Sequence, residues 1–270
     1  MDLQLNGRVA FVTGGGQGVG RRICLDLAAE GVRVAVNDIF EERAHAVVQE
    51  IEAAGGQAFA AVADITRQDE VQAAIAAAQT VLGPVDILVN NAGVLVERRE
   101  KGGAAPLFVD TDSDGWRRIV DLNVFAMMYC CQAVLPGMKE RRHGKIISIM
   151  SEAGRAGEAR LAVYSGAKAA MLGFAKAIAR EHGQDCINVN VIALGAVSHE
   201  GIREGALSPE STPQNNERLG KMLNAYPISR GLQRLARPED VSGMVCLLAS
   251  DRAAYVTGQS IGISGGYVMQ

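Results

Sequence analysis

Aromatic residues are scarce in this chain: one Trp, five Tyr and six Phe among 270 residues. Any core must therefore be assembled from Ala, Val, Ile and Leu, and a 48 % hydrophobic content is ample for that. Basic blocks are missing as well. With 27 Lys and Arg against 30 Asp and Glu the formal charge is -3, and no run of cations is suited to a phosphate backbone, which excludes nucleic acid as a partner. The five cysteines, Cys24, Cys130, Cys131, Cys186 and Cys246, contain no CxxC pair. They predict free buried thiols in a reducing compartment, hence a cytoplasmic protein. His45, His143, His182 and His199 are scattered, so no metal site is expected. The opening MDLQLNGRVAFV lacks the apolar run of a signal peptide. The uncharged stretch 122–138 is broken by Asn123, Gln132 and Pro136, and 253–270 holds four glycines, so neither suits a lipid-facing helix and no membrane partner is expected.

What is abundant is glycine, 31 residues against the roughly 7 % of average usage. The glycines have no three-residue period, and the apolar content rules out a disordered chain. Short β-branched runs alternate with alanine-rich stretches. Strands are expected at 8–13, 32–36, 57–63, 85–89, 145–150, 187–192 and 259–263. Helices are expected at 18–30, closed by Gly31, at 41–54, ending at Gly55-Gly56, and at 71–82, with Thr66 as N-cap and Asp69 in the first turn. Apolar strands joined by helices of this length make an α/β fold, a doubly wound parallel sheet of Rossmann type with helices on both faces. No linker or repeat interrupts the chain, so residues 1–270 read as a single domain. The irregular, proline-containing segment 198–237 reads as a lid over a site.

The first strand runs into Thr13-Gly14-Gly15-Gly16-Gln17-Gly18-Val19-Gly20, followed by a helix. Backbone N–H groups and the positive end of the helix dipole then face one point, an anion site suited to a pyrophosphate. Asp38 ends the second strand, 18 residues after Gly20. There a carboxylate accepts hydrogen bonds from the adenosine ribose hydroxyls and repels a 2′-phosphate. No Arg or Lys lies between Gly14 and Gly20, so NAD is expected rather than NADP.

Tyr164 and Lys168 stand at i and i+4 of a predicted helix, on one face. A free Tyr has a pKa of about 10, and a neighbouring ammonium moves it toward the range of a useful acid/base. Ser151 follows the fifth strand at its C-terminal end, the edge where open α/β sheets bind ligands.

Taken together, TGxxxGxG, Asn90-Asn91-Ala92-Gly93 after the fourth strand, Asn123, Ser151 and Tyr164-x-x-x-Lys168 resemble the short-chain dehydrogenase/reductase superfamily, in order and spacing from Gly7 to about Gly266. The resemblance implies an NAD-dependent oxidoreductase that interconverts a secondary alcohol and a ketone. Tyr164 would be the acid/base, and Ser151 would hydrogen-bond the substrate oxygen. Lys168 would bind the nicotinamide ribose, and Asn123 would hold a water of a proton relay. Gly14, Gln17, Gly18 and Val19 match the pyrophosphate loop, Asp64 and Ile65 the adenine edge, and Asn91, Ala92 and Gly93 the nicotinamide side. Asp64 as a helix cap and Asn91 as a turn residue are the plainer readings of those two. The chain departs from the family after the sixth strand: Leu194 stands where a Pro is usual, and His199 where a Thr binds the nicotinamide carboxamide. The Val197 backbone can still make that bond, while His199 could anchor the carboxamide, touch substrate or face solvent. The resemblance also implies a homo-oligomer, dimer or tetramer, packed through the 122–138 helix and the Tyr164 helix.

Rival readings are weaker. Gly262-x-Ser264-x-Gly266 matches a hydrolase elbow, but only four residues follow Gly266, none of them His, Asp or Glu. A silent dinucleotide sensor would have lost Tyr164, Lys168 or Ser151, and all three are present. The small-molecule substrate is not legible. Four acids and six bases across 198–237 allow an anionic one, such as the acyl thioester of a 3-oxoacyl reductase or 3-hydroxyacyl-CoA dehydrogenase, or simply solvated lid charge.

Overall fold

The computed structural model describes residues 2–93 and 105–269. Seven parallel strands form one sheet in the order β3-β2-β1-β4-β5-β6-β7. They are β1 (Val9–Val12), β2 (Arg33–Val36), β3 (Ala58–Ala60), β4 (Ile87–Asn90), β5 (Gly144–Ser151), β6 (Ile187–Leu194) and β7 (Ser260–Ile263). β1 and β4 are buried at every position. Successive residues point to opposite faces and both faces are covered, so these strands read as unbroken apolar runs. Val9 and Phe11 enter one core cluster, Ala10 and Val12 the other.

On the first face lie α3 (Gln68–Leu82), α5 (Ala126–Arg141) and α6 (Ala162–His182). The second is covered by α1 (Gly18–Ala29), α2 (Glu41–Ala53) and α9 (Pro238–Ala249). α4 (Ser113–Val120) runs through a π turn at Asp121–Phe125 directly into α5. The continuous stretch Ser113–Arg141 is long and apolar enough to cross a membrane by length and composition. In this fold it buries Ala126, Met127, Cys130, Cys131, Val134 and Met138 in the first cluster.

Several expectations are corrected. β3 is shorter than 57–63, whereas β5 and β6 extend to Ser151 and Leu194, so Ser151 is the last residue of its strand. Thr66 is not an N-cap: α3 starts at Gln68 after Arg67, and the Thr66 N–H and hydroxyl both donate to Asp64 Oδ1, at 2.9 and 2.8 Å. A local turn has captured the side chain that would have capped the helix. Cys186 is exposed, while the other four thiols are buried and free. Burial pushes Cys131 up to about 12. Segment 198–237 is less irregular than expected. It contains α7 (Glu217–Ala225) and α8 (Pro227–Leu232), with a small core of Ala206, Leu219, Leu223 and Leu235. A parallel bridge between Val197 and Ala236 brings its two ends together.

Candidate active site

Because all the strands run in parallel, every strand-to-helix loop that carries a motif emerges at the same sheet edge. The turn after β1 is built by close approach. A Cβ on Gly20 would lie 2.0 Å from the Gly14 carbonyl oxygen, so no other residue fits there. Gly14 and Gly18 hold φ of +60° and +55°, and Gln17 is the N-cap of α1 without a side-chain cap. Val19 packs against the second core. The Gln17 side chain thus does not cap the N–H groups at the start of α1, and a helix N-terminus suits an anion.

Asp38 is buried and already oriented. Its Oδ2 accepts from Gly16 N at 3.1 Å and its Oδ1 from Phe40 N at 3.1 Å. Arg43, on α2, is a residue the sequence did not single out. Its Cβ would lie 2.6 Å from a Cβ on Gly16, and its guanidinium stacks 4.2 Å above the Phe40 ring. The Arg43 Cβ and the Asp38 carboxylate thus both border Gly16, brought together by tertiary packing and not by any motif.

Asn91 ties the loop after β4 to the glycine turn. Its Nδ2 donates to the carbonyls of Thr13 and Gly14 at 3.0 and 3.1 Å, which makes it the turn-holding residue of the plainer reading. The Thr13 hydroxyl also takes part, accepting from Asn91 N and Ala92 N. A Cβ on Gly14 would meet Ala92 at 3.1 Å, so β4 and the cradle are in contact. Asp64 is tied to Thr66, with its own N–H on Glu70 Oε2, and Ile65 is buried beside it.

On the other side of β4 the candidate catalytic residues assemble. A Cβ on Gly93 would come within 2.5 Å of Lys168 Nζ and 2.7 Å of Asn123 Oδ1. The Lys168 ammonium donates to the Ile149 carbonyl at 2.9 Å and lies 5.7 Å from the Tyr164 ring centroid. Burial lowers its pKa to about 7. Asn123 sits in the π turn, its Nδ2 bonded to the Ile119 carbonyl at 2.9 Å, and its buried Oδ1 has no partner among the described residues. A π turn exposes an inward carbonyl region at a functional residue, and an orphaned buried acceptor is satisfied by water. That is the environment a relay water requires. Ser151 Oγ accepts from Ala153 N at 3.2 Å. Behind it Glu152 and Arg155 form a buried ion pair at 3.2 Å, and Glu152 N bonds the Leu194 carbonyl.

Val197 lies at the bridge that starts the 198–237 segment. Three of the six cations of that segment are engaged locally. Arg234 pairs with Asp240, Lys221 with Glu217, and Arg230 donates to the Asn224 carbonyl. The C-terminal glycines form a turn with no helix after Ser264, so the elbow geometry of a hydrolase is absent among the described residues.

The short chain dehydrogenase family model matches residues 8–206. Among curated proteins, 7alpha-hydroxysteroid dehydrogenase of Escherichia coli (strain K12) is 36 % identical over 269 residues, covering 100 % of this chain and 97 % of that protein. A 3-oxoacyl-[acyl-carrier-protein] reductase of Synechocystis sp. is 35 % identical over 269 residues, with 98 % of each covered. Among solved structures, a 7 alpha-hydroxysteroid dehydrogenase complexed with NADH and 7-oxo glycochenodeoxycholic acid superposes with a TM-score of 0.86 at 36 % identity, over 100 % of this chain and 97 % of that one.

Proposed function

This chain belongs to the short-chain dehydrogenase family, and from that premise we propose that it is an NAD-dependent enzyme interconverting a secondary alcohol and a ketone. The observation that carries this reading is the shared sheet edge. The glycine cradle with Asp38 lies on one side of β4, and Tyr164, Lys168 and Asn123 lie on the other. The cofactor is NAD(H), as in the structural neighbour solved with NADH. Gly14, Gln17, Gly18 and Val19 hold its diphosphate, Asp38 the adenosine ribose, Asp64 and Ile65 the adenine edge, and Asn91, Ala92, Gly93 and Val197 the nicotinamide side.

The nicotinamide supplies the hydride chemistry. The protein's own part is proton handling and charge placement. In oxidation the Tyr164 phenolate oxygen takes the substrate hydroxyl proton, and in reduction the phenol returns it. Ser151 Oγ–H donates to the substrate oxygen and stabilises the charge that develops there. Lys168, when protonated, favours the phenolate and holds the nicotinamide ribose, and the water on Asn123 Oδ1 passes the proton outward.

Segment 198–237 acts as the lid of a single catalytic domain. Three of its six bases, Lys221, Arg230 and Arg234, are engaged locally, which favours an uncharged ring or chain alcohol over an acyl thioester. The second relative keeps the 3-oxoacyl thioester as the alternative. A panel of secondary alcohols with NAD, containing a 7α-hydroxysteroid and a 3-hydroxyacyl thioester, tests this. We expect NADH from the alcohols, and turnover of the thioester alone would overturn the substrate class.

The outer side of α5 and α6 carries Phe125, Met128, Tyr129, Leu135, Phe174 and Ile178 around a groove. A second copy of this chain is its occupant, so light scattering is expected to give a dimer or tetramer. The free thiols fit a cytoplasmic enzyme.

A further inference from the structure

Of the three roles the sequence leaves open for His199, the fold favours one that none of them describes. The imidazole lies on the glycine turn itself. A Cβ on Gly18 would come within 2.7 Å of Cε1, 2.8 Å of Nδ1 and 3.0 Å of Nε2. The ring therefore occupies the space that the missing side chain leaves above the start of α1.

Its orientation is fixed. Gly201 N–H donates to Nδ1 at 3.1 Å. A neutral imidazole that accepts at Nδ1 carries its proton at Nε2, so Nε2 is a donor. Gly201 leaves room for this closeness, since a Cβ there would lie 2.9 Å from Cε1 and 3.0 Å from Gln17 Oε1. The strap 199–201 is also held from outside. Arg21 of α1 reaches Glu200 at 3.7 Å and pairs with Glu50 of α2.

The direction of approach selects the ligand atom. Asp38 lies two residues beyond the end of β2, on one side of β1, whereas His199 follows β6, on the other. A dinucleotide laid from Asp38 toward Lys168 across the turn would meet His199 at the phosphate on its nicotinamide side.

We propose that His199 is a cofactor-binding residue whose Nε2–H donates to the nicotinamide-side phosphate of NAD(H), with Gly201 setting the tautomer and Glu200 anchoring the strap. This rests on the dinucleotide reading given above. It replaces a hydroxyl contact to the carboxamide by an imidazole contact to the diphosphate.

Equilibrium binding at neutral pH tests it, with NADH followed by fluorescence and ADP-ribose and AMP by calorimetry, on the wild type, His199→Ala and His199→Asn. ADP-ribose keeps the second phosphate but lacks nicotinamide, and AMP lacks both. One charge-assisted hydrogen bond corresponds to about tenfold in affinity. His199→Ala should lose that factor equally for NADH and ADP-ribose and bind AMP as the wild type does. His199→Asn, which keeps an N–H donor, should recover part of it. A loss confined to NADH would make the contact one to nicotinamide and overturn the proposal. Equal losses for all three ligands would make His199 a prop for the turn and overturn it too, as would no loss at all. Wild-type protein that binds AMP but neither NADH nor ADP-ribose would overturn the dinucleotide reading instead.

Discussion

The two ends of β5 each hold a buried lysine in opposite circumstances. At the N-terminal edge of the sheet, Lys145 donates to Asn188 Oδ1 at 2.8 Å and pairs with Asp251 at 3.4 Å. At the C-terminal edge Lys168 has the Ile149 carbonyl, and among the described residues no carboxylate lies within ion-pair distance. Burial lowers both pKa values, but Asp251 opposes the effect at Lys145 and nothing opposes it at Lys168, which falls to about 7. One cation is compensated and belongs to the architecture. The other is left uncompensated, and folding tolerates it beside Tyr164, where the proposed chemistry needs a nearby positive charge.

The largest effect is expected at the uncompensated edge. Tyr164→Phe should lower kcat by about 10²–10⁴-fold, the usual contribution of a general acid/base, while the Kd for NADH measured by fluorescence stays unchanged. Preserved turnover would remove the functional meaning of that edge. Gly20→Ala should abolish NADH binding, because its Cβ would displace the Gly14 carbonyl and the Asn91 amide that holds it; a titration with a wild-type Kd would show that the cradle is not rigid.

Lys168→Met separates function from stability. The folded-state pKa of about 7 lies below the ordinary 10.5. The unfolded chain therefore binds more protons between those values, and the Lys168 contribution to stability rises with pH across that window. The variant should lose turnover, gain Tm most at pH 6–7 and show a flatter Tm–pH profile from 7 to 10. A steeper profile would mean that the ammonium is compensated after all.

Asp38→Ser should admit NADP, with Arg43 as the cation that receives its 2′-phosphate. Adding Arg43→Ala should take back about ten- to hundredfold of that gain, the worth of a hydrogen bond to a charged group. If wild type already prefers NADP in kcat/KM, Asp38 does not select the cofactor. The smallest change in activity belongs to Lys145→Met, which should cost about 1–3 kcal/mol in denaturant unfolding through its stranded partners and leave kcat as it is. A loss of turnover there would erase the contrast between the two edges.

The sheet was legible because both its faces are buried, so runs such as Val9–Val12 and Ile187–Leu194 carry their burial in their composition. The cradle, Asp38, Ser151, Tyr164 and Lys168 were legible because local spacing positions them. What escaped depends on contacts distant in the chain. Arg43 reaches Gly16 across the α1–α2 surface, and His199 reaches Gly18 from beyond β6. Thr66 misled because Asp64, two residues before it, competes for the same hydroxyl. α7 and α8 escaped because each is short, one opened by Asn216 and the other by Pro227; Leu219 and Leu223 of α7 pack with Ala206 and Leu235 rather than on the sheet, and Ile228 and Leu232 of α8 are exposed.

The bridge between Val197 and Ala236, reinforced by Ser198 N on the Ala236 carbonyl at 2.8 Å, has an evolutionary consequence. It closes the intervening segment into a loop whose two ends are already joined before it begins. Doubling the length of such a loop adds only about 0.6 kcal/mol of closure entropy. The segment can thus be lengthened, shortened or exchanged as a cassette without disturbing β6 or α9, so one sheet edge can serve many differently shaped substrates.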